Sequence, residues 1–291
     1  MTGDPLNSTA NAHSALNIFQ LTDKEFNQLR TLVYDRWGIK LGDQKRSLVA
    51  GRLQKIVKEV GCNDFSDYIN YLENDASGKA MGVLIDRIST NHTFFWREND
   101  HFQYFSKTIL PEVIGRLKTR REHDLRIWCP GCSSGEEPFT LAMLVSEYLG
   151  KEMVNWDVGI LATDISNIVL TKAQIGKYSD ENVNHLPNDL KYKYLHKQPD
   201  KQWLIDEKIK KMVLYRRLNL MRESYPFRKQ FQIIFCRNVM IYFDVPTRQE
   251  LVSRFYRYCE TDGYLFIGHS ETLGRNNTLF KYVNPAIYKR N

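Results

Sequence analysis

Apolar positions recur at helical spacing through the first third of the chain. Thr22-Asp-Lys-Glu25 has the form of a capping box, in which the threonine hydroxyl and the glutamate carboxylate each satisfy a backbone N–H at a helix start. Phe26, Leu29, Val33 and Trp37 follow on one face, and the helix is predicted to stop near Gly38. A second helix is predicted from about Asp43 to Val60, ending at Gly61. Phe65, Tyr68, Ile69 and Leu72 mark a third, and Met81, Leu84, Ile85 and Ile88 a fourth. Residues 20–90 therefore read as a small helical domain with no strand signal. In its second helix Val49, Leu53, Ile56 and Val60 gather on a packing face, while Arg52, Lys55 and Lys58 step along another. That stripe is either a solvated polar face or a dock for an acidic helical partner.

From about Leu125 the pattern changes to short apolar runs alternating with helical segments. Strands are predicted at Leu125–Cys129, Val158–Ala162, Met212–Leu218, Phe231–Cys236 and Tyr264–Gly268, and helices at Thr140–Leu149, Ile168–Ile175 and Arg248–Cys259. This rhythm implies an α/β fold with a mostly parallel sheet flanked by helices. Between Tyr178 and Lys211 the chain is polar, holds Pro187 and Pro199, and is too long for an ordinary connection. An insertion with a strand near Trp203–Ile205 is expected there. The opening run, Met1 to Asn17, has few large apolar side chains and is expected to stay disordered. The expected organisation is a tail over 1–19, a helical domain over 20–90, and an α/β domain over 91–291 with a subdomain inserted at about 178–211.

Of the 291 residues 42% are hydrophobic, which suits one large domain with a small one beside it. No stretch approaches the ~20 apolar residues that cross a bilayer, and the first twenty residues lack a signal-peptide pattern. No membrane insertion is expected, and a cytoplasmic location is. Five scattered cysteines do not form a secreted disulfide framework. The formal net charge of +7 allows an acidic partner without naming one.

The run Ile127-Trp-Cys-Pro-Gly131-Cys-Ser-Ser-Gly135-Glu-Glu-Pro138 passes from a strand through a glycine-containing turn into a helix, where open α/β sheets bind ligands. Glu136 and Glu137 at that helix start would repel a pyrophosphate, and the full G-x-G-x-x-G pattern is missing. S-adenosylmethionine carries a sulfonium and an ammonium instead of a phosphate, and is compatible with both carboxylates. Asp164, at the tip of the next strand, is placed to accept bonds from ribose hydroxyls, or to cap the following helix. Cys129-Pro-Gly-Cys132 has no second ligand pair for zinc, and Cys129 reads as a small buried hydrophobe; no metal site is expected.

Further along stand Asn91-His-Thr93-Phe-Phe-Trp-Arg97, Ala162-Thr-Asp164, Asn219-Leu220, Phe235-Cys-Arg-Asn-Val-Met-Ile-Tyr-Phe243 and Gly268-His-Ser-Glu271. With the glycine loop, this combination closely resembles the CheR family, the chemotaxis receptor methyltransferases, over nearly the whole chain beyond residue 20. The resemblance implies a Rossmann-like class I methyltransferase domain behind a small all-α domain. It implies methyl transfer from S-adenosylmethionine to the γ-carboxylate of glutamates on chemoreceptor cytoplasmic helices, with S-adenosylhomocysteine as the other product. Carried over by motif, Asn91, Thr93, Arg97, Gly131, Glu137, Asp164, Asn219, Leu220, Arg237 and Asn238 would line the cofactor site. Arg97 would pair with the methionyl carboxylate and Asn219 would reach the adenine. The basic helix, with Arg52, Lys55 and Lys58 and with Lys45 and Arg46 at its start, would face the acidic receptor. Family members that tether to a receptor's C-terminal pentapeptide share a glycine-containing loop in the inserted sheet. The corresponding stretch here, His196 to Gln202, has no glycine, so direct recognition of the methylation helices is expected in place of a tether.

Transfer from a sulfonium to a carboxylate needs alignment and partial desolvation. Glutamate, with a reference pKa near ~4.3, is already ionised and needs no general base. Accordingly Arg97, Arg237 and Tyr242 are the candidate catalytic groups, the last two as orienters of the acceptor carboxylate. A nucleic-acid methyltransferase is disfavoured: Cys236-Arg-Asn238-Val replaces the Asn/Asp-Pro-Pro-aromatic signature of amino-group methylation, and no basic-aromatic module is present. A non-catalytic S-adenosylmethionine sensor would keep the same cofactor residues. Nothing in the sequence demands an oligomer, and a monomer is expected.

Overall fold

The structure is a computed structural model and describes residues 19–274 and 278–291. The tail expected to be disordered lies almost wholly outside them.

Four helices open the chain: α1 (Asp23–Trp37), α2 (Arg46–Glu59), α3 (Phe65–Asn74) and α4 (Lys79–Ile88). The capping box closes in both directions, Thr22 Oγ1 accepting from the Glu25 N–H at 3.3 Å and Glu25 Oε2 accepting from the Thr22 N–H at 2.8 Å. Gly38 ends α1 at φ +66, and a Cβ there would fall 2.5 Å from Met221 Sδ and 2.9 Å from Thr247 Cγ2. Only glycine lets this turn lie against the second domain. Helix α2 starts after a 3₁₀ turn at Asp43–Lys45 and buries Val49, Leu53, Ile56 and Val57. Val57 takes the packing place expected of Val60, which caps the helix and is only half-buried. These helices share one core running from Leu21 to Ile88.

Residues 89–98 then run without helix or strand to α5 (Asn99–Tyr104), a π-helical turn (Phe105–Ile109) and α6 (Leu110–Thr119). Strand β1 (Asp124–Pro130), helix α7 (Glu136–Leu149), strand β2 (Asp157–Asp164) and helix α8 (Asn167–Ile175) follow. The insertion comprises β3 (Lys177–Tyr178), α9 (Asp180–Val183), α10 (Asn188–Tyr194), β4 (Leu195–Lys197), β5 (Trp203–Ile205) and α11 (Glu207–Lys211). The chain closes with β6 (Val213–Arg217), β7 (Phe231–Cys236), α12 (Val245–Tyr258), β8 (Cys259–Ile267), β9 (Phe280–Asn284) and β10 (Ile287–Arg290). The seven-stranded sheet runs β6-β2-β1-β7-β8-β10-β9; only the pairings of β10 are antiparallel. This is the mostly parallel α/β sheet that the strand–helix rhythm predicts. β1 and β7, both central, are almost wholly buried, as fits a sheet covered on both faces.

The insertion folds as a three-stranded sheet, β3-β5-β4, with its strand at Trp203–Ile205 where the sequence places one. Its Val183, Leu186, Leu195, Trp203 and Ile205 join the main core. In the β4–β5 turn Lys201 takes φ +65, a left-handed position held here without glycine. Among the described residues no helix is long and apolar enough to cross a membrane.

Candidate active site

Strand β1 delivers its chain end to the loop 131–135 at the carboxyl edge of the sheet. The Gly131 and Cys132 N–H groups donate to Thr163 O at 2.7 and 3.0 Å, which ties the loop to the end of β2. Gly131 has φ +74, and a Cβ there would lie 2.3 Å from Val239 Cγ2. A side chain would thus fill the space between this loop and the β7–α12 connection. Asp164 Oδ2 accepts from the Ser133 N–H at 2.9 Å and Oδ1 from the Ser166 N–H at 3.0 Å. Burial raises its pKa against the pull of these bonds. Ser166, not Asp164, caps α8. Cys129 is fully buried, its thiol pushed well up by desolvation, and all five cysteines are free.

Across the cavity, β7 is followed by Arg237, whose side chain is 2% exposed. Its Nη1 donates to Glu137 Oε2 at 3.1 Å, its Nε and Nη2 to Glu98 Oε2 at 3.2 and 3.0 Å, and its Nη2 also to Arg97 O. The Phe102 ring lies 5.0 Å below the guanidinium. Burial raises the Glu137 pKa to about 7, with Arg237 pulling it down and Glu98 adding to the rise. Asn238 follows at φ +57; its N–H donates to Glu271 Oε2 and its Nδ2 to Glu98 Oε1. Glu271, buried, also accepts from the N–H groups of Gly268 and Ile241, and so shapes the turn after β7. Left-handed backbone is costly for non-glycine residues, most of all for a tryptophan. Ser133 and Asn238 adopt it in the cavity wall, and Trp96 and Glu98 adopt it on either side of Arg97.

The helical domain supplies the remaining wall. Trp37, the last residue of α1, and Ile39 and Leu41 just beyond it face the cavity, and Ile39 bridges to Phe243. The Lys40 N–H donates to Tyr242 O at 2.8 Å, and Asn219 Nδ2 donates to Arg36 O at 2.7 Å. Tyr242 OH donates to Thr90 O at 3.2 Å, and Lys45 Nζ stands 4.9 Å above its ring. Burial, then the nearby Arg52, lowers the Lys45 pKa.

The structure brings Asn91, Thr93 and Arg97 from the linker, Gly131 from the loop, Glu137 from the first turn of α7, and Asp164 from β2 into one cavity. Asn219 and Leu220 complete it from the segment after β6, and Arg237, Asn238 and Tyr242 from the segment after β7. The five cations expected to face a receptor do not stay together. Lys45 enters the cavity wall. Arg46 donates to Leu21 O and pairs with Asp23, Lys55 pairs with Glu59 at 3.4 Å, and Lys58 lies 5.6 Å over Phe19. Arg52 donates to Ile88 O and Ser89 O at 2.9 and 3.0 Å, closing the C-terminus of α4. Arg52 and Lys55 still border a groove, joined there by Arg87, Asp86 and Lys172, and Asn91 lines both the groove and the cavity.

Several of these residues are not singled out by sequence. Glu98 stands one position past the Asn91–Arg97 run, and Glu271 lies in a motif whose role needs the fold. Trp37 and Ile39 look like ordinary helix-end packing. The insertion's brace is likewise invisible in sequence: Tyr178 OH donates to Ser134 O at 2.6 Å, and the Phe95 N–H to Asn182 O at 3.1 Å.

Residues 91–288 match the family model of the CheR methyltransferase SAM-binding domain, and residues 24–89 that of the CheR all-alpha domain. The chain belongs to the CheR methyltransferase family. It is 46% identical over 276 residues to the chemotaxis protein methyltransferase of Borreliella burgdorferi, covering 95% of this chain and 97% of that one. It is 34% identical over 271 residues to that of Escherichia coli K12, covering 92% and 91%. The main sheet is accordingly that of a class I methyltransferase, and S-adenosylmethionine is the cofactor of this CheR enzyme. The cavity suits it chemically: carboxylates at Asp164 and Glu137, an arginine at Arg97, apolar walls at Trp37, Ile39 and Leu220, and a glycine cradle at Gly131.

Proposed function

We propose that this CheR enzyme methylates the γ-carboxylate of glutamates on the acidic cytoplasmic helices of chemoreceptors, in the cytoplasm, as part of chemotactic adaptation. The observation that carries the reading is the basic groove of Arg52, Lys55, Arg87 and Lys172, which meets the cofactor cavity at Asn91. An acidic helix seated there would present a carboxylate to the cavity. Relatives named as chemotaxis protein methyltransferases support the pathway.

S-adenosylmethionine supplies an electrophilic methyl group on a sulfonium. Asp164 is assigned to its ribose, Arg97 to its carboxylate, Glu137 to its ammonium, and Asn219 and Leu220 to its adenine. The acceptor glutamate is ionised at neutral pH, so the protein's contribution is to align and desolvate it, which is worth roughly 7–11 kcal/mol in well-oriented reactions. Tyr242 and Lys45, stacked at the cavity wall, are the groups assigned to orient it. Arg237, bound to three acceptors, is assigned to positioning Glu137 and the linker. Without a glycine in the β4–β5 turn, recognition is assigned to the groove and not to a receptor tail. The enzyme acts as a monomer in this reading.

Incubation with methyl-labelled S-adenosylmethionine and receptor cytoplasmic fragments, followed by mild alkali, tests the assignment. Ester label leaves as volatile methanol; alkali-stable label, or label on RNA, would overturn it.

A further inference from the structure

Beside the Arg237 clamp stands a second group of ligating side chains that the methyl-transfer reading does not use. Glu98 precedes α5, His101 follows within that helix, and His269 comes from the turn after β8. One ligand atom from each lies within 4.8 Å of the others. His101 is 1% exposed and packs edge-on against Phe266 at 5.8 Å and His269 at 4.5 Å. Neither of its ring nitrogens has a hydrogen-bond partner. Glu98 Oε2 stands 3.4 Å from Nδ1. Buried polar groups in native proteins are nearly always satisfied, so an imidazole with two orphan nitrogens calls for a partner.

We propose that Glu98, His101 and His269 bind a zinc-class divalent ion. Two imidazoles with one carboxylate are the donor set of open tetrahedral zinc sites, whereas magnesium and calcium take oxygen donors. A neutral imidazole is the form that ligates metals. Asp100 Oδ2 lies 3.0 Å from His269 Nε2, the outer carboxylate that fixes a ligating ring. The side chains of His269 and Asp100 are 43% and 58% exposed, which gives the ion a route in from solvent. Bonds of about 2.0–2.2 Å set tetrahedral ligand atoms roughly 3.3 Å apart. His269, on an exposed turn, supplies the inward movement this requires. Glu98 already holds Arg237, so the ion and the guanidinium compete for one carboxylate. Occupancy therefore loosens the Arg237–Glu98 contact, one side of the clamp whose other side holds Glu137 in the cofactor cavity.

Cobalt(II) titration of the untagged, full-length protein, read by visible absorption and by competition with zinc, tests the site. The expected result is one ion per chain in a tetrahedral nitrogen–oxygen environment, displaced by zinc. His269→Ala, at a half-exposed position, should weaken binding at least about 100-fold, and Asp100→Asn roughly tenfold. Absence of stoichiometric binding, binding unchanged in His269→Ala, or an intense thiolate-to-cobalt band placing the ion on cysteine would each overturn the proposal.

Discussion

Arg237 Nη1 lies 3.1 Å from Glu137 Oε2 and thereby joins the end of β7 to the first turn of α7. The same guanidinium reaches Glu98, so one buried cation satisfies two carboxylates from separate segments. Removing it leaves both half-buried carboxylates without their ion-pair partner. Arg237→Met should lower stability by about 3–5 kcal/mol in urea denaturation, and Arg237→Lys should recover little, because a point ammonium cannot serve three acceptors in one plane. Adding Glu137→Gln to Arg237→Met should restore part of the loss; a purely additive double variant would show that the contact is not coupled.

Arg52 is a poor probe of docking, because it closes the carbonyls of Ile88 and Ser89 and its loss perturbs the bundle. Arg87 and Lys172 border the same groove from α4 and α8. Arg87→Glu with Lys172→Glu should cut methylation of receptor fragments at least about tenfold at low salt, an effect that shrinks as salt screens the groove. Melting should stay within about 0.5 kcal/mol of wild type, as for ordinary surface changes. Initial rates across a salt series decide it; equal rates at low salt would remove the groove from substrate recognition.

Gly131→Ala meets Val239 Cγ2 and a left-handed backbone together. Binding of S-adenosylmethionine, measured by calorimetry, should weaken at least about tenfold, equivalent to 1.4 kcal/mol. Trimming Val239 to Ala in the same chain should restore part of it. Strain at the positive φ would remain.

Glu136 is 1% exposed, its two carboxylate oxygens share the single Ser134 hydroxyl donor at 3.0 and 2.8 Å, and burial pushes its pKa up to about 7. An unfolded glutamate titrates near ~4.3. Between these values the folded chain holds a proton that the unfolded chain has released, so the contribution is complete below the lower pKa and fades as pH rises through the higher. Relative to Glu136→Gln, the wild type should lose about 3 kcal/mol of stability between pH 4.5 and 8. Paired urea melts at both pH values measure this difference; parallel curves would place the carboxylate in solvent.

Elements whose pattern is local were legible in the sequence. The capping box at Thr22, the stripe Phe65–Leu72, and the strands at Phe231–Cys236 and Trp203–Ile205 are all found in the structure. The α5–α6 segment went unassigned although Phe102, Phe105, Ile109 and Val113 are buried at near-helical spacing; Pro111 and the widened π turn interrupt the period there. The β9–β10 hairpin was missed because Lys281, Tyr282 and Val283 are exposed in succession on an edge strand. For the cavity, sequence reaches residues set inside motifs, such as Asp164 and Arg237. It does not reach Trp37 or Glu98, whose roles arise from contacts across the chain that no local spacing encodes. The cationic stripe shows the limit most clearly, since Arg52 turns toward helix-end carbonyls that lie far from it in sequence.

The wall formed by Trp37, Ile39 and Lys45 makes the helical bundle part of the cavity's own container. Any ligand filling that container touches both domains, so its binding free energy includes the seating of the bundle. The two are thermodynamically linked: what steadies the bundle tightens the ligand, and the ligand steadies the bundle to the same degree. A protein helix docked along α2 and α8, as proposed, would then be felt in the cavity without touching its ligand.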